Sequence, residues 1–202
     1  MRQTDEVNTE ERRMQIVQAA VNCFNRSGLH NATINQICKE AGVSPGHLYY
    51  YFESKESLIQ AVFNNDWDIA NNYFDEFIDE PNAIPIYLGL TTSKAHVLPE
   101  DRIANQAVVT EVVAEIGRNP ALAKINKSHR KKYLKKLTKM VSAAQLRGEL
   151  MPGTSIDEVV FAIDTVATAR MVSNAANRFD PAAYAKHTRS LLKGLVVIPD
   201  ER

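Results

Sequence analysis

The sequence predicts an all-α fold of about nine helices, on three observations. Apolar residues recur at i, i+3, i+4 and i+7 through most of the chain, and no stretch sustains the alternation of a strand. Glycine and proline stand between these periodic stretches, where helices stop and start. Side chains suited to capping helix N-termini, Thr33, Ser44 and Ser54, precede three successive stretches.

Residues 1–8 read as a disordered tail. A first helix follows over residues 9–27, with Ile16, Ala20 and Phe24 four apart, and ends at Gly28. Thr33 and Gln36 have the spacing of a capping box, so a second helix starts there. Ile34, Ile37, Cys38 and Ala41 give it one buried face, and Gly42 supplies the left-handed residue that ends it. Val43 plugs the corner, and Ser44 and Pro45 provide an N-cap and a first-turn proline for a third helix. Two short helices joined by so tight a turn form a helix-turn-helix. Ser54 caps a fourth helix that carries Leu58, Val62 and Trp67 to about residue 78, where the proline-bearing segment 80–85 interrupts it. Further helices are expected over 86–96, 99–117, 120–147, 156–178 and 181–197.

The chain has 202 residues, zero formal net charge, 45% hydrophobic and 24% charged residues, an ordinary composition for a water-soluble globular protein. No apolar run is long enough to span a membrane, and the N-terminus lacks the apolar segment of a signal peptide, so a cytoplasmic protein without a membrane partner is expected. Cys23 and Cys38 fall on buried helix faces and are expected as reduced core thiols. None of the five histidines has an acidic residue three places before it, and neither a CxxC pair nor a phosphate-cradling glycine loop is present. The expectation is a protein that is not an enzyme and needs neither metal nor cofactor.

The third helix is unusual on its outer side. At about 100° per residue, Leu48 and Phe52 point one way, and Gly46, Tyr49, Tyr50 and Glu53 the other, with His47 to the side. Two placements satisfy this spacing: the tyrosines pack against the rest of the protein, or they face a partner. Tyrosine, imidazole and a glycine that permits close approach suit phosphate and base contacts in a DNA major groove.

The run Thr33, Ile37, Ala41-Gly42-Val43-Ser44, Gly46, Leu48-Tyr49, Phe52, Ser54-Lys55 and Leu58 resembles the signature of TetR-family regulators, over roughly residues 10–60 with the first helix included. Cys38 stands where alanine is common, and Tyr51 where histidine is frequent. The resemblance implies a DNA-binding domain over residues 9–54 and an effector-binding and dimerisation domain over 55–202. It implies phosphate contacts for Thr33 and Lys55, at helix N-termini. Ser44, Tyr49 and Tyr50 add backbone contacts, and Pro45, Gly46 and His47 approach base edges. The partners so implied are a double-stranded, pseudo-palindromic DNA operator, a second copy of the chain and a small-molecule effector of unknown identity that releases a repressor. A regulator without any ligand is the alternative.

The last two helices are apolar over a wide arc, which asks for burial on two sides. In the family these helices pair across a dimer, which assigns Val159, Ile163, Val166, Arg170, Leu191 and Leu195 to the interface. For the effector, Trp67, Asn71 and Phe74 share one face of the fourth helix. Glu111 and Glu115 lie one turn apart on an otherwise apolar stretch, and Thr165 and Arg170 on the penultimate helix are further candidates. Either glutamate could instead pair with a neighbouring helix. One feature runs against a DNA reader: residues 1–65 hold six Lys/Arg and seven Asp/Glu. The basic run 129–140 reads as a solvated helix face.

Overall fold

The computed structural model describes residues 2–76, 78–90, 100–176 and 178–198, and among these residues nine α-helices carry the chain. They are α1 (Arg2–Asn31), α2 (Ile34–Ala41), α3 (Pro45–Tyr51), α4 (Lys55–Asp75), α5 (Ala83–Tyr87), α6 (Glu100–Glu115), α7 (Pro120–Leu146), α8 (Ile156–Ala175) and α9 (Pro181–Leu192). None is long and apolar enough to cross a membrane.

Three boundaries depart from the sequence reading. α1 is helical from Arg2, where a tail was expected. No glycine or proline interrupts residues 2–27, and intermixed acids and bases suit an exposed helix. α5 occupies residues 83–87 with Pro85 inside it. Proline is tolerated in a first turn, where its missing N–H has no intrahelical partner anyway, so Pro85 belongs to a helix start rather than to a break. The 91–96 part of the expected helix lies outside the described residues, as does Pro99. α9 stops at Leu192, short of residue 197, and Val196 instead forms an antiparallel bridge with Leu150. Gly194 and the β-branched pair Val196-Val197 favour that extended ending.

The described residues form two compact units: those of Met1–Asp68 with Ala107–Asn126, and those of Ile69–Gln106 with Lys127–Arg202. In the first, Ile16, Ala20 and Phe24 of α1, Ile37 and Cys38 of α2, Leu48 of α3 and Leu58 of α4 are buried, as are Val108, Val112 and Leu122. Polar ties add to this. Gln15 Nε2 donates to the Ala41 carbonyl at 2.9 Å, and Arg26 bonds the Glu40 carboxylate at 2.6 Å. That hydrogen bond, with a second from Asn22, holds the Glu40 carboxyl below its ordinary range. Cys23 and Cys38 are free and buried, and burial pushes both thiols up. Reduced thiols at such sites are weak nucleophiles.

α1 breaks at Gly28, with φ 77° and ψ 163°, a conformation open essentially to glycine alone. Beyond it, the Leu29 amide donates to Glu111 Oε2 at 2.8 Å. A Cβ on Gly28 would sit 3.5 Å from the same carboxylate. The kink and the carboxylate therefore fit together.

The second unit packs Leu88 and Leu90 against Leu137, Met140 and Val141 of α7, Val159 and Ile163 of α8 and Leu192 of α9. Ser155 and Glu158 form a capping box at the start of α8. Glu149 bonds the Asn82 amide and Arg147, tying the turn before α5 to the end of α7. Replacing Gly28 by alanine is expected to destabilise the protein by about 1–3 kcal/mol, because alanine must hold a glycine-only conformation. Urea unfolding of Gly28→Ala beside wild type checks this, and equal midpoints would refute it.

Candidate nucleic-acid interface

α2 and α3 are held at their N-termini by side chains and at their C-termini by backbone bonds. Thr33 Oγ1 accepts from the Gln36 amide at 3.3 Å while Gln36 Oε1 accepts from the Thr33 amide at 2.8 Å, the reciprocal box anticipated from the sequence. Gly42 closes α2 with φ 65° and ψ 33°, and the Val43 amide then bonds the Cys38 carbonyl at 3.0 Å. Ser44 Oγ accepts from the His47 amide at 3.2 Å, and Pro45 occupies the first turn. Ser54 and Ser57 exchange amide-to-hydroxyl bonds of 3.1 Å at the start of α4.

These caps aim α3. Leu48 is fully buried and Phe52 nearly so, while Tyr49 is 49% and Tyr50 76% exposed. The choice between packed and outward tyrosines is thus decided for the outward placement. Ser44, Pro45, Gly46 and His47 are exposed as well, and a Cβ on Gly46 would meet nothing within 4 Å. Tyr51 is half-buried, with its ring 5.4 Å from His47 and 5.0 Å from Tyr50. It steadies both neighbours, a role that the period of the helix alone does not reveal. Lys55 Nζ donates to the His30 carbonyl at 3.0 Å, so its ammonium is anchored at the end of α1 with further N–H donors available. The surface is polar and aromatic, backed by two helix N-termini, and carries no broad basic field.

The effector candidates divide between the units. Trp67, Glu111 and Glu115 belong to the first, and Asn71, Phe74, Thr165 and Arg170 to the second. Glu111 bonds the Leu29 amide, and Glu115 lies 3.5 Å from His30 Nε2 and 3.7 Å from Arg118. Both glutamates thus engage the end of α1, through a backbone amide and a histidine rather than an Arg or Lys of an adjacent helix. Thr165 is exposed and its hydroxyl bonds back to the Phe161 carbonyl at 2.8 Å. Phe74 is buried among aromatic rings, 5.1 Å from Tyr87 and 6.1 Å from Tyr133, residues the sequence reading did not single out.

Four of the six interface candidates also move. Val159, Ile163 and Val166 are buried in their own unit, and Arg170 contacts Tyr87 and Tyr184 within it. The exposed apolar arc of α8 is instead Phe161, Ala169 and Val172, with Thr165 between them. Leu191 on α9 is 69% exposed, and Leu195 is half-buried. A helix apolar all round gives no signal for which arc faces its own core. In the basic run, Arg130 pairs with Asp164, Lys136 with Asp75 and Lys139 with Asp79, while Lys131, Lys132 and Lys135 are exposed.

Residues 16–62 match the family described as "Bacterial regulatory proteins, tetR family". The chain is 28% identical to the HTH-type transcriptional regulator UidR of Escherichia coli K12, over 95% of its own length and 97% of the relative's. The solved structure of GusR from Salmonella enterica superposes with a TM-score of 0.68 at 27% identity, covering 92% of this chain and 95% of that one. FadR of Bacillus subtilis, solved in complex with stearoyl-CoA, shares the fold with a TM-score of 0.59 at 23% identity, covering 90% and 98%. Thr33→Ala is expected to cost about 0.5–2 kcal/mol by opening the capping box. Thermal unfolding measures it, and an unchanged midpoint would show that the box adds nothing to the motif.

Proposed function

Because this chain is a TetR-family transcriptional regulator, we propose that it acts as a homodimeric, ligand-released repressor of a pseudo-palindromic operator. Residues 9–54 form the DNA-reading domain in this proposal, and residues 55–202 the effector-binding and dimerisation domain. The observation that carries the reading is the outward face of α3. Its tyrosines, Tyr49 and Tyr50, lie in solvent.

In the complex, Thr33, Ser44, Tyr49, Tyr50 and Lys55 hold phosphates, and Pro45, Gly46 and His47 meet base edges. Phosphate contacts set the register and base contacts the sequence. The near-neutral charge of residues 1–65 means that few counterions are released on binding, so affinity rests on placed donors more than on bulk attraction.

Dimerisation through the exposed arc of α8 and Leu191 of α9 would cover Phe161, Val172 and Leu191, large apolar side chains otherwise left in water. A two-fold dimer places two α3 helices on two half-sites. Regulation then has a physical route. Glu111 and Glu115 of α6 engage Leu29 and His30 at the end of α1, and Lys55 of α4 holds the His30 carbonyl. A ligand that displaces α6 or α4 acts on the base of the reading domain. Occupancy of FadR by stearoyl-CoA supports a ligand-responsive reading for this fold. A regulator controlled by abundance alone is the second reading, distinguished by the absence of any ligand that alters DNA affinity.

Selection from a random duplex library should enrich an inverted repeat with wild-type protein and none with the Tyr49→Ala/Tyr50→Ala variant, at unchanged thermal stability. Enrichment of the same repeat by the variant would remove α3 from the mechanism. Phe161→Asp should convert a dimer to a monomer in analytical ultracentrifugation and abolish inverted-repeat binding. A dimeric variant would place the interface elsewhere.

A further inference from the structure

The second unit contains an arginine that faces the core and has no carboxylate partner among the described residues. α8 presents Val159, Ile163 and Val166 inward, and Arg170 continues that stripe four residues on. α9 runs through a matching stripe of Leu192 and Thr188, both buried, to half-buried Tyr184. At one end the stripes are aliphatic, and at the other they become Arg170 and Tyr184.

The surroundings of Arg170 do little for its charge. Its guanidinium carbon stands 5.9 Å from the Tyr184 ring centroid. Its Nη1 reaches the Tyr87 carbonyl only at 3.5 Å, the outer limit of a hydrogen bond. It lies 3.6 Å from where a side chain on Gly89 would begin, so that turn is bare backbone with φ 67°. No described carboxylate pairs with Arg170. Of the three carboxylates on its own helix, Asp157 and Glu158 lie in the first turn, with Glu158 bonded to Ser155, and Asp164 is taken by both Nη atoms of Arg130. Capping of the α5 turn is no sufficient reason for a half-buried guanidinium, since Arg189 already donates to the Leu90 carbonyl there. A charge drawn out of water without a partner is costly, whereas an ion pair completed by a ligand recovers that cost on binding.

Aromatic surface gathers at the same end. Tyr184 meets Phe179 in a tilted ring contact at 5.2 Å, and Tyr87 packs on Phe74 at 5.1 Å. The Tyr87 and Tyr133 hydroxyls meet at 3.2 Å. Ring faces, phenol hydroxyls and one unmatched positive charge are the few convergent polar groups of a small-molecule site. A cation would be repelled by Arg170, and a neutral molecule would leave it unpaired.

We propose that this end of the second unit binds a small ring-bearing carboxylate, its carboxylate on Arg170 and its ring against Tyr184 and Tyr87. The proposal rests on the effector reading above and names the effector's chemical class.

Isothermal titration of the full-length protein with benzoate, phenylacetate and cyclohexanecarboxylate, beside benzamide and benzylamine, tests it. The carboxylates should bind, and benzamide and benzylamine should bind at least ~10-fold more weakly. Arg170→Gln should lose roughly 10- to 100-fold in carboxylate affinity, and Arg170→Lys, which keeps the charge without the planar fork, should fall between. Should Arg170→Gln fail to fold, Arg170→Lys and Tyr184→Ala carry the comparison. No carboxylate binding, equal binding of acid and amide, or full affinity in the Arg170 variants would each overturn the proposal. Operator binding by wild type separates the two readings. Carboxylate binding that leaves DNA affinity unchanged refutes the effector role and keeps the site. Release by benzylamine alone keeps the effector role and refutes the anionic site.

Discussion

The constraint on which the reading surface depends is the shortness of α3. A helix of seven residues cannot hold itself in water, because nucleation costs more than so few hydrogen bonds return. Its conformation is imposed from outside its own length. Ser44 holds the first turn, Gly42 fixes the direction in which the chain leaves α2, and Leu48 and Phe52 anchor the inner side in the core. With three of its four sides so determined, the outward side needs no stabilising chemistry and is free to carry Tyr49, Tyr50, His47 and Gly46. The same economy explains why those residues are poor at making an isolated helix.

Electrostatics complement this arrangement. Among the cations of the first unit, Arg26 is spent on Glu40, Arg13 on Glu10 and Phe52, and Lys55 is steered by the His30 carbonyl. Cations used as braces hold geometry and contribute little long-range field. In the second unit Arg130, Lys136, Lys139 and Arg147 are braced on carboxylates in the same way, while Lys131, Lys132 and Lys135 on α7 are exposed.

How legible this was in the sequence depended on how local each signal was. The helix-turn-helix is written in caps and a glycine at fixed offsets, and Thr33, Gln36, Gly42, Ser44 and Ser54 all occupy the places their chemistry predicts. α8 is the opposite case. Apolar residues surround it, so the arc of Phe161, Ala169 and Val172 is indistinguishable in sequence from that of Val159 and Ile163. Pro85 misleads because proline both stops a helix and starts one. Glu111 and Glu115 were visible as carboxylates on an apolar stretch, but their partners are a backbone amide and a histidine about eighty residues earlier, which no periodicity can report.

That distant pairing has a consequence for inheritance and engineering. The compact unit that contains the reading head also includes Ala107–Asn126, with Val108, Val112 and Leu122 buried and Glu111 on the Leu29 amide. The compact unit that holds α3 thus extends beyond residues 9–54. Recombination that swaps sensors between relatives just past that range separates a carboxylate from the amide it satisfies, and leaves apolar side chains facing strangers. In this chain the compact unit that holds α3 is discontinuous, and a junction near residue 60 would part Glu111 from the Leu29 amide it satisfies.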